Sequence, residues 1–291
     1  MLLHSTPRLL VRNAIALQPV ALALLVSLVA SLPAAAAEPQ RFTLDRHVRA
    51  RCLEVLEASL ASDEFWPSMH AAEALTIAGR GDAVIKALTP RLPREQDDQQ
   101  RCGLARELVR AGDYSRTPIM LAILSGKDPY GHVHAAESLF KVGELGDGSA
   151  MRAAYAQRDN TRLRLMAAAA LARCGNRQAL ATVRAAVPDH DPANAHLAAW
   201  ILTALGDESD LPALRARRAK EQDPLVRADF DHALAVLGDA EGRKALARNL
   251  ESENPALRTY AEFPQTEHCG LRDSDTVWVV MSRRSMRNMR P

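Results

Sequence analysis

One pattern of apolar and polar positions returns six times along the chain: a run of small residues, a Leu, three further residues and a Gly. It reads Ala71-Ala72-Glu73-Ala74-Leu75 with Gly79, then Leu104-Ala105-Arg106-Glu107-Leu108 with Gly112. It comes back as Ala135-Ala136-Glu137-Ser138-Leu139 with Gly143, and as residues 167–170 with Leu171 and Gly175. The last two are Ala198-Ala199-Trp200-Ile201-Leu202 with Gly206, and residues 230–233 with Leu234 and Gly238. The glycines are spaced 33, 31, 32, 31 and 32 residues apart. A near-constant period of this length marks stacked helical units.

Each unit reads as two helices. The small-residue pattern is the first, and Gly follows it where a left-handed residue costs least. Asp82, Asp113, Asp147, Asn176, Asp207 and Asp239 follow the glycines and suit N-caps of the second helix, of which 211–220 is an example. The loop into the next unit carries Asp128-Pro129, Asp191-Pro192, Asp223-Pro224 or Asn254-Pro255, a cap followed by Pro in the first turn. Asp45 and Asp63 are further loop or cap candidates, and residues 46–60 supply a preceding helix. Strand-like sequence is nearly absent before 277–280. The expected fold is all-α, a right-handed α-solenoid of about six helix-pair repeats with a period near 32 over residues 38–263.

The period, the Ala-rich first helix, the Gly-Asp turn and the Asp-Pro loop resemble the HEAT-like repeats of the phycobilisome-lyase type, over roughly residues 66–263. The resemblance implies the solenoid, in which a helix pair too small to bury its own apolar face stacks on its neighbours. It implies no single function, because the same repeat serves scaffolds, bilin lyases and a di-iron hydroxylase. It also implies that the second helices line the concave face.

Composition narrows the classes. With 291 residues, 25% charged, 47% hydrophobic and 4% aromatic, the chain is neither collagen-like, nor acidic and disordered, nor a multi-span membrane protein. So few rings weaken a carbohydrate-cleft or base-stacking reading. Residues 1–37 read as a bacterial-type signal peptide: Arg8 and Arg12, an uncharged stretch over 14–32, Pro33, and Ala35-x-Ala37 ahead of Glu38. The alternative is an uncleaved membrane anchor, against which Pro33 and the Ala-x-Ala site argue. No Cys follows the apolar run, so a lipid anchor is not expected. Losing 1–37 removes two arginines from a chain of net charge +2 and leaves the charges balanced. Nucleic-acid binding leans on phosphate neutralisation and is not expected of such a protein, nor is membrane association after signal removal. The expected address is periplasmic or extracellular. After Pro264 the repeat is lost, and 264–291 reads as an irregular or disordered tail, or as the product of an altered reading frame.

Four cysteines remain after export: Cys52, Cys102, Cys174 and Cys269. Cys102 and Cys174 fall two repeats apart, and stacked layers about 8–10 Å apart hold their Cα atoms beyond the reach of a disulfide. Cys174 also occupies the register of Ala78, Val142, Leu205 and Leu237, so these thiols read as small buried residues. No C-x-x-C occurs. His70 with Glu73, and His134 with Glu137, place a His and a Glu three apart on one helix face, with Tyr130 and His132 close to the second pair. The HEAT-repeat deoxyhypusine hydroxylases, similar in fold, hold two irons with adjacent His-Glu pairs. This chain has no His-Glu dipeptide in any repeat, so that chemistry is not carried over and no metal or cofactor is expected. Glu73, Arg106 and Glu137 instead alternate in sign down the stack and are expected to pair. There is no G-x-S-x-G, P-loop or G-x-G-x-x-G.

The second helices are one-sided in charge. Segments 149–158, 177–187, 211–220 and 243–250 hold eleven basic residues and no acidic one. Arg152, Arg184 and Arg215 each stand nine residues after a repeat Gly, the place for an Asp–Arg ladder with Asp147 and Asp207 as partners. Arg217, Arg218, Lys220, Arg243, Lys244 and Arg248 fall outside that ladder. The expected function is an exported, non-enzymatic protein-binding scaffold. Its candidate partner-binding residues are Arg184, Arg215, Arg217, Arg218, Lys220, Arg243, Lys244 and Arg248 on a basic concave face, which attracts an acidic protein or an anionic glycan. The alternatives are an enzyme of lyase or metal-hydroxylase type on the same repeat, and a structural envelope protein that self-associates.

Overall fold

The computed structural model describes residues 45–262, all within one compact unit, Phe42–Pro291. The expected signal, its cleavage site or anchor, and the tail lie outside the described residues. Fourteen α-helices and no strand are present among the described residues. Helix α1 (Arg46–Leu60) leads in, with Asp45 accepting from the His47 and Val48 amides as its cap. First and second helices then alternate: α2 (Phe65–Ile77) and α3 (Gly81–Leu88), α4 (Asp98–Arg110) and α5 (Thr117–Leu124), α6 (His132–Val142) and α7 (Ser149–Ala156). The order continues with α8 (Thr161–Arg173) and α9 (Arg177–Ala186), α10 (Pro192–Leu205) and α11 (Leu211–Arg218), α12 (Pro224–Val236) and α13 (Ala240–Leu250), and ends in α14 (Pro255–Glu262). No helix among the described residues is long and apolar enough to cross a membrane.

The turn chemistry explains where the first helices stop. Gly79, Gly112, Gly143, Gly175 and Gly238 have φ between 75° and 108°. After α2, the Gly79 amide donates to the Thr76 carbonyl and the Arg80 amide to the Leu75 carbonyl, so the last turn is closed by its own chain. Gly206 differs, with φ −80°, which any residue adopts. There the requirement is room: a Cβ would lie 2.6 Å from the Leu202 carbonyl oxygen. Asp128, Asp191, Asp223 and Asn254 all accept a backbone N–H just beyond the following Pro. Asn176 and Asp239 cap α9 and α13 as expected. Asp82 does not cap, because α3 begins one residue before it, and it lies in the first turn instead.

Each first helix packs on the next first helix along the whole row, from α2 to α14. Among second helices the comparable neighbour contact is that of α5 with α7. Alanines make the close row: Ala71, Ala72, Ala135, Ala136, Ala198, Ala199 and residues 167–170 are all within 1% of full burial. The first helices are therefore the more closely packed row.

The apolar core comes in two large clusters that meet inside α4. Leu104 and Leu108 close the cluster of α1 to α3. Cys102, Ala105 and Val109, on the other side of the same helix, begin a cluster that runs on to Phe230 and Leu234 in α12. Ile119 touches both.

Candidate functional site

Most of the second-helix cations are already engaged. Arg184 donates from Nε to Asp210 at 2.7 Å and from Nη2 to Asp207 at 2.9 Å, reaching from α9 to the segment ahead of α11. Asp207 and Asp210 are also cap and third residue of one box, which fixes their carboxylates for the arginine. Arg215 of α11 binds Asp239, the cap of α13. Burial of Asp239 opposes its ionisation, but the Gly242 amide and Arg215 outweigh it and hold the carboxyl below its usual range. The ladder thus exists, with Asp210 and Asp239 as partners beside Asp207. Arg152 is not a rung: it donates to the Asp147 carbonyl of its own turn at 3.2 Å, and the next repeat offers Asn176 rather than an acid.

Three residues expected outside the ladder are paired. Arg217 meets Glu221 at 2.9 Å and lies 5.4 Å from the centre of the Phe230 ring. Arg218 donates to the buried Asp231 at 2.5 Å. Burial raises the Asp231 pKa, against the pull of Arg218. Lys244 meets Glu241 at 2.8 Å, because α13 starts at Ala240 and brings Glu241 into the row. Lys220, Arg243 and Arg248 are exposed and form no ion pair among the described residues, and the same holds for Arg158 and Arg177.

From α2 to α6 the first-helix row carries most of its charges in compensated sets, whereas Arg162, Arg164 and Arg173 of α8 form no ion pair among the described residues. Glu107 is wholly buried and takes Arg106 at 2.6 Å and Arg110 at 3.1 Å. Arg110 also crosses to Glu73 of α2 at 2.7 Å. Burial would raise the Glu73 pKa, but His70, Arg110, Lys141 and Arg106 bring it down to about 2. Glu137 turns to Lys141 on its own helix at 2.7 Å. Of the expected alternating column, then, Glu73 alone finds its partner across helices, and that partner is Arg110 rather than Arg106. Further on, His196 of α10 meets Asp229 of α12 at 2.6 Å. The rings add a contact with no local sequence signal: Trp66 stacks on His134 at a centroid distance of 6.0 Å. Burial lowers the His134 pKa, with Arg162 and Arg106 acting the same way and Glu137 and Asp97 opposing them.

No group of three or more His, Cys, Asp or Glu residues that could hold a metal exists among the described residues. Cys52 and Cys102 are buried free thiols, and burial pushes Cys102 up to about 12. Cys174, the residue after α8, is exposed, whereas Ala78, Val142, Leu205 and Leu237 at the same register are half-buried. Cys269 lies outside the described residues.

The fold and these sets define a helical repeat scaffold. The HEAT-repeat family profile matches residues 148–235, the stretch that holds the Arg184 rung and α7 to α12. Comparison with curated proteins gives no match. Among solved structures, human deoxyhypusine hydroxylase in complex with glycerol is similar, at 15% identity and a TM-score of 0.37, covering 76% of this chain and 97% of that one. Similarity at that level says nothing about the chemistry of this chain.

Proposed function

We propose that this protein is an exported, non-enzymatic scaffold, a right-handed α-solenoid that holds an acidic segment of a partner protein against its second-helix row. The observation that carries this reading is the charge left over once internal pairing is complete. Arg158, Arg177, Lys220, Arg243 and Arg248 stand exposed without an ion pair on the second-helix side, whereas the ion pairs of α2, α4 and α6 compensate most of the charges there. Such a row attracts anions and speeds their encounter. The candidate set narrows accordingly: Arg184, Arg215, Arg217 and Arg218 serve the fold first, and Lys220, Arg243 and Arg248 are left to meet a partner.

The test uses a poly-glutamate peptide as the acidic probe. Reversing Lys220, Arg243 and Arg248 to Glu breaks no ion pair, so the melting temperature is expected to hold while affinity falls at least about tenfold, the equivalent of 1.4 kcal/mol. The matched control reverses Arg94, Lys127 and Arg162, which are exposed on other parts of the array, and is expected to keep binding. Binding of the parent protein is expected to weaken between low and physiological salt, as the screening length contracts. Equal affinity of the two triple variants, or binding indifferent to salt, refutes the reading. Binding to heparin without binding to poly-glutamate replaces the protein partner with an anionic glycan.

A further inference from the structure

Two side-chain contacts on the first-helix row skip a helix. Trp66 of α2 and His134 of α6 stack with ring planes 24° from parallel, and α4 runs between them. Gly103 of α4 packs against α2, where an added Cβ would stand 3.1 Å from the Phe65 ring, itself edge-on to Trp66 at 4.9 Å. Further along, the Lys141 ammonium of α6 lies 5.5 Å from the Trp200 ring of α10. Phe140 meets the same indole edge-on at 5.8 Å. The helix between that pair is α8, with alanines buried throughout 167–170. Adjacent helix axes stand about 8–10 Å apart, so second neighbours in a straight row are about 16–20 Å apart. Long side chains close that gap most readily where the row bends toward them and the middle helix carries little bulk. At the first place the middle helix offers Gly103; at the second, Arg173 of α8 lies 5.9 Å from the Phe140 ring and donates to the Phe140 and Lys141 carbonyls, so the middle helix is not bare there.

We propose that the Trp66/His134 stack is a curvature latch, a clasp that holds the first-helix row bent and whose release lets the array straighten. The leverage is geometric. A rotation of about 10° at each of the two interfaces, acting over the roughly 10 Å of one helix diameter, parts the rings by about 3–4 Å. That ends the ring contact while leaving the apolar layers beneath in register. Trp66 is 41% exposed, so the clasp opens into solvent without unwinding α2 or α6. This device does not depend on where a partner binds.

The test measures bend directly. Spin labels at Ile77→Cys and Thr161→Cys, at the ends of α2 and α8, report the spread of the first-helix row in a Cys174→Ser, Cys269→Ser background. The parent protein is expected to give one narrow distance. Trp66→Ala removes one ring, and Gly103→Leu presses on Phe65, the ring packed edge-on against Trp66, while keeping both stacked rings. Each is expected to lengthen the distance by about 3 Å or more and to broaden it, with the helical circular dichroism unchanged. A parent-like distance in both variants, or a shift in one of two folded variants alone, overturns the latch. If one variant loses helical signal, the other decides.

Discussion

The ionic set inside α4 makes a quantitative demand. Glu107 is wholly buried and accepts from Arg106 Nε at 2.6 Å and from Arg110 Nη1 at 3.1 Å. Glu107→Ala deletes the shared acceptor. Arg110 keeps Glu73 at 2.7 Å, so the loss falls on Arg106, which is 7% exposed and forms its one ion pair among the described residues with Glu107. Removing one partner of a buried pair costs about 3–5 kcal/mol, and the retained Arg110 contact places this case near 3. For an array of this size each kcal/mol lowers the melting temperature by about 2–4 °C, giving a fall of about 6–12 °C. Thermal unfolding followed by circular dichroism reads it, with urea unfolding as the independent measure. Adding Arg106→Met removes the stranded guanidinium and is expected to recover half or more of the loss, because taking out both halves of a buried pair is close to neutral. A melting temperature within about 2 °C of the parent for Glu107→Ala, or a double variant that melts below the single, refutes the reasoning.

Two further expectations concern protons and thiols. Glu73 has its pKa lowered from 4.5 to about 2, so the folded state binds fewer protons there, and the stability it contributes is full above about 4.5 and lost as pH falls toward about 2. A pH series of urea midpoints checks this, and Glu73→Gln is expected to flatten the curve across that window; an unchanged slope counts against the Arg110 pairing. In native protein at pH 8, Cys174 is expected to react rapidly with a thiol reagent and Cys102 not at all, since burial pushes Cys102 up to about 12. Comparison with a Cys174→Ser variant assigns the fast phase, and fast modification of Cys102 would mean that α4 opens.

The local grammar of the chain was readable: an Asp or Asn before Pro, and a Gly after Leu, each act through neighbours within five residues, and the caps and helix stops follow. Pairings set by stacking were not. Arg217 could have been matched to Glu221 four residues on, a helical spacing with a visible partner. Arg218 and Asp231 lie thirteen residues apart on different helices, and their meeting depends on how α11 lies against α12. Cys174 is exposed where its register mates are half-buried, a difference that the register itself does not carry. Which row packs more closely is a property of neighbouring repeats, one no single repeat contains. The Trp66/His134 stack spans two interfaces, so its only trace in the sequence is the Gly at 103, where the neighbouring repeats carry His.

The meeting of two apolar clusters within one helix bears on how the protein comes apart. Helix α4 gives Leu104 and Leu108 to one side and Cys102, Ala105 and Val109 to the other, with a charged set between. Cooperativity in an array depends on the nearest-neighbour interface, and this is where the chain of purely apolar interfaces is interrupted. Unfolding is therefore expected to begin as a sub-global opening, in which α1 to α3 detach while α5 to α12 stay protected against hydrogen exchange. A single melting temperature then blends two events, and the amino-terminal helices are the ones a protease reaches first.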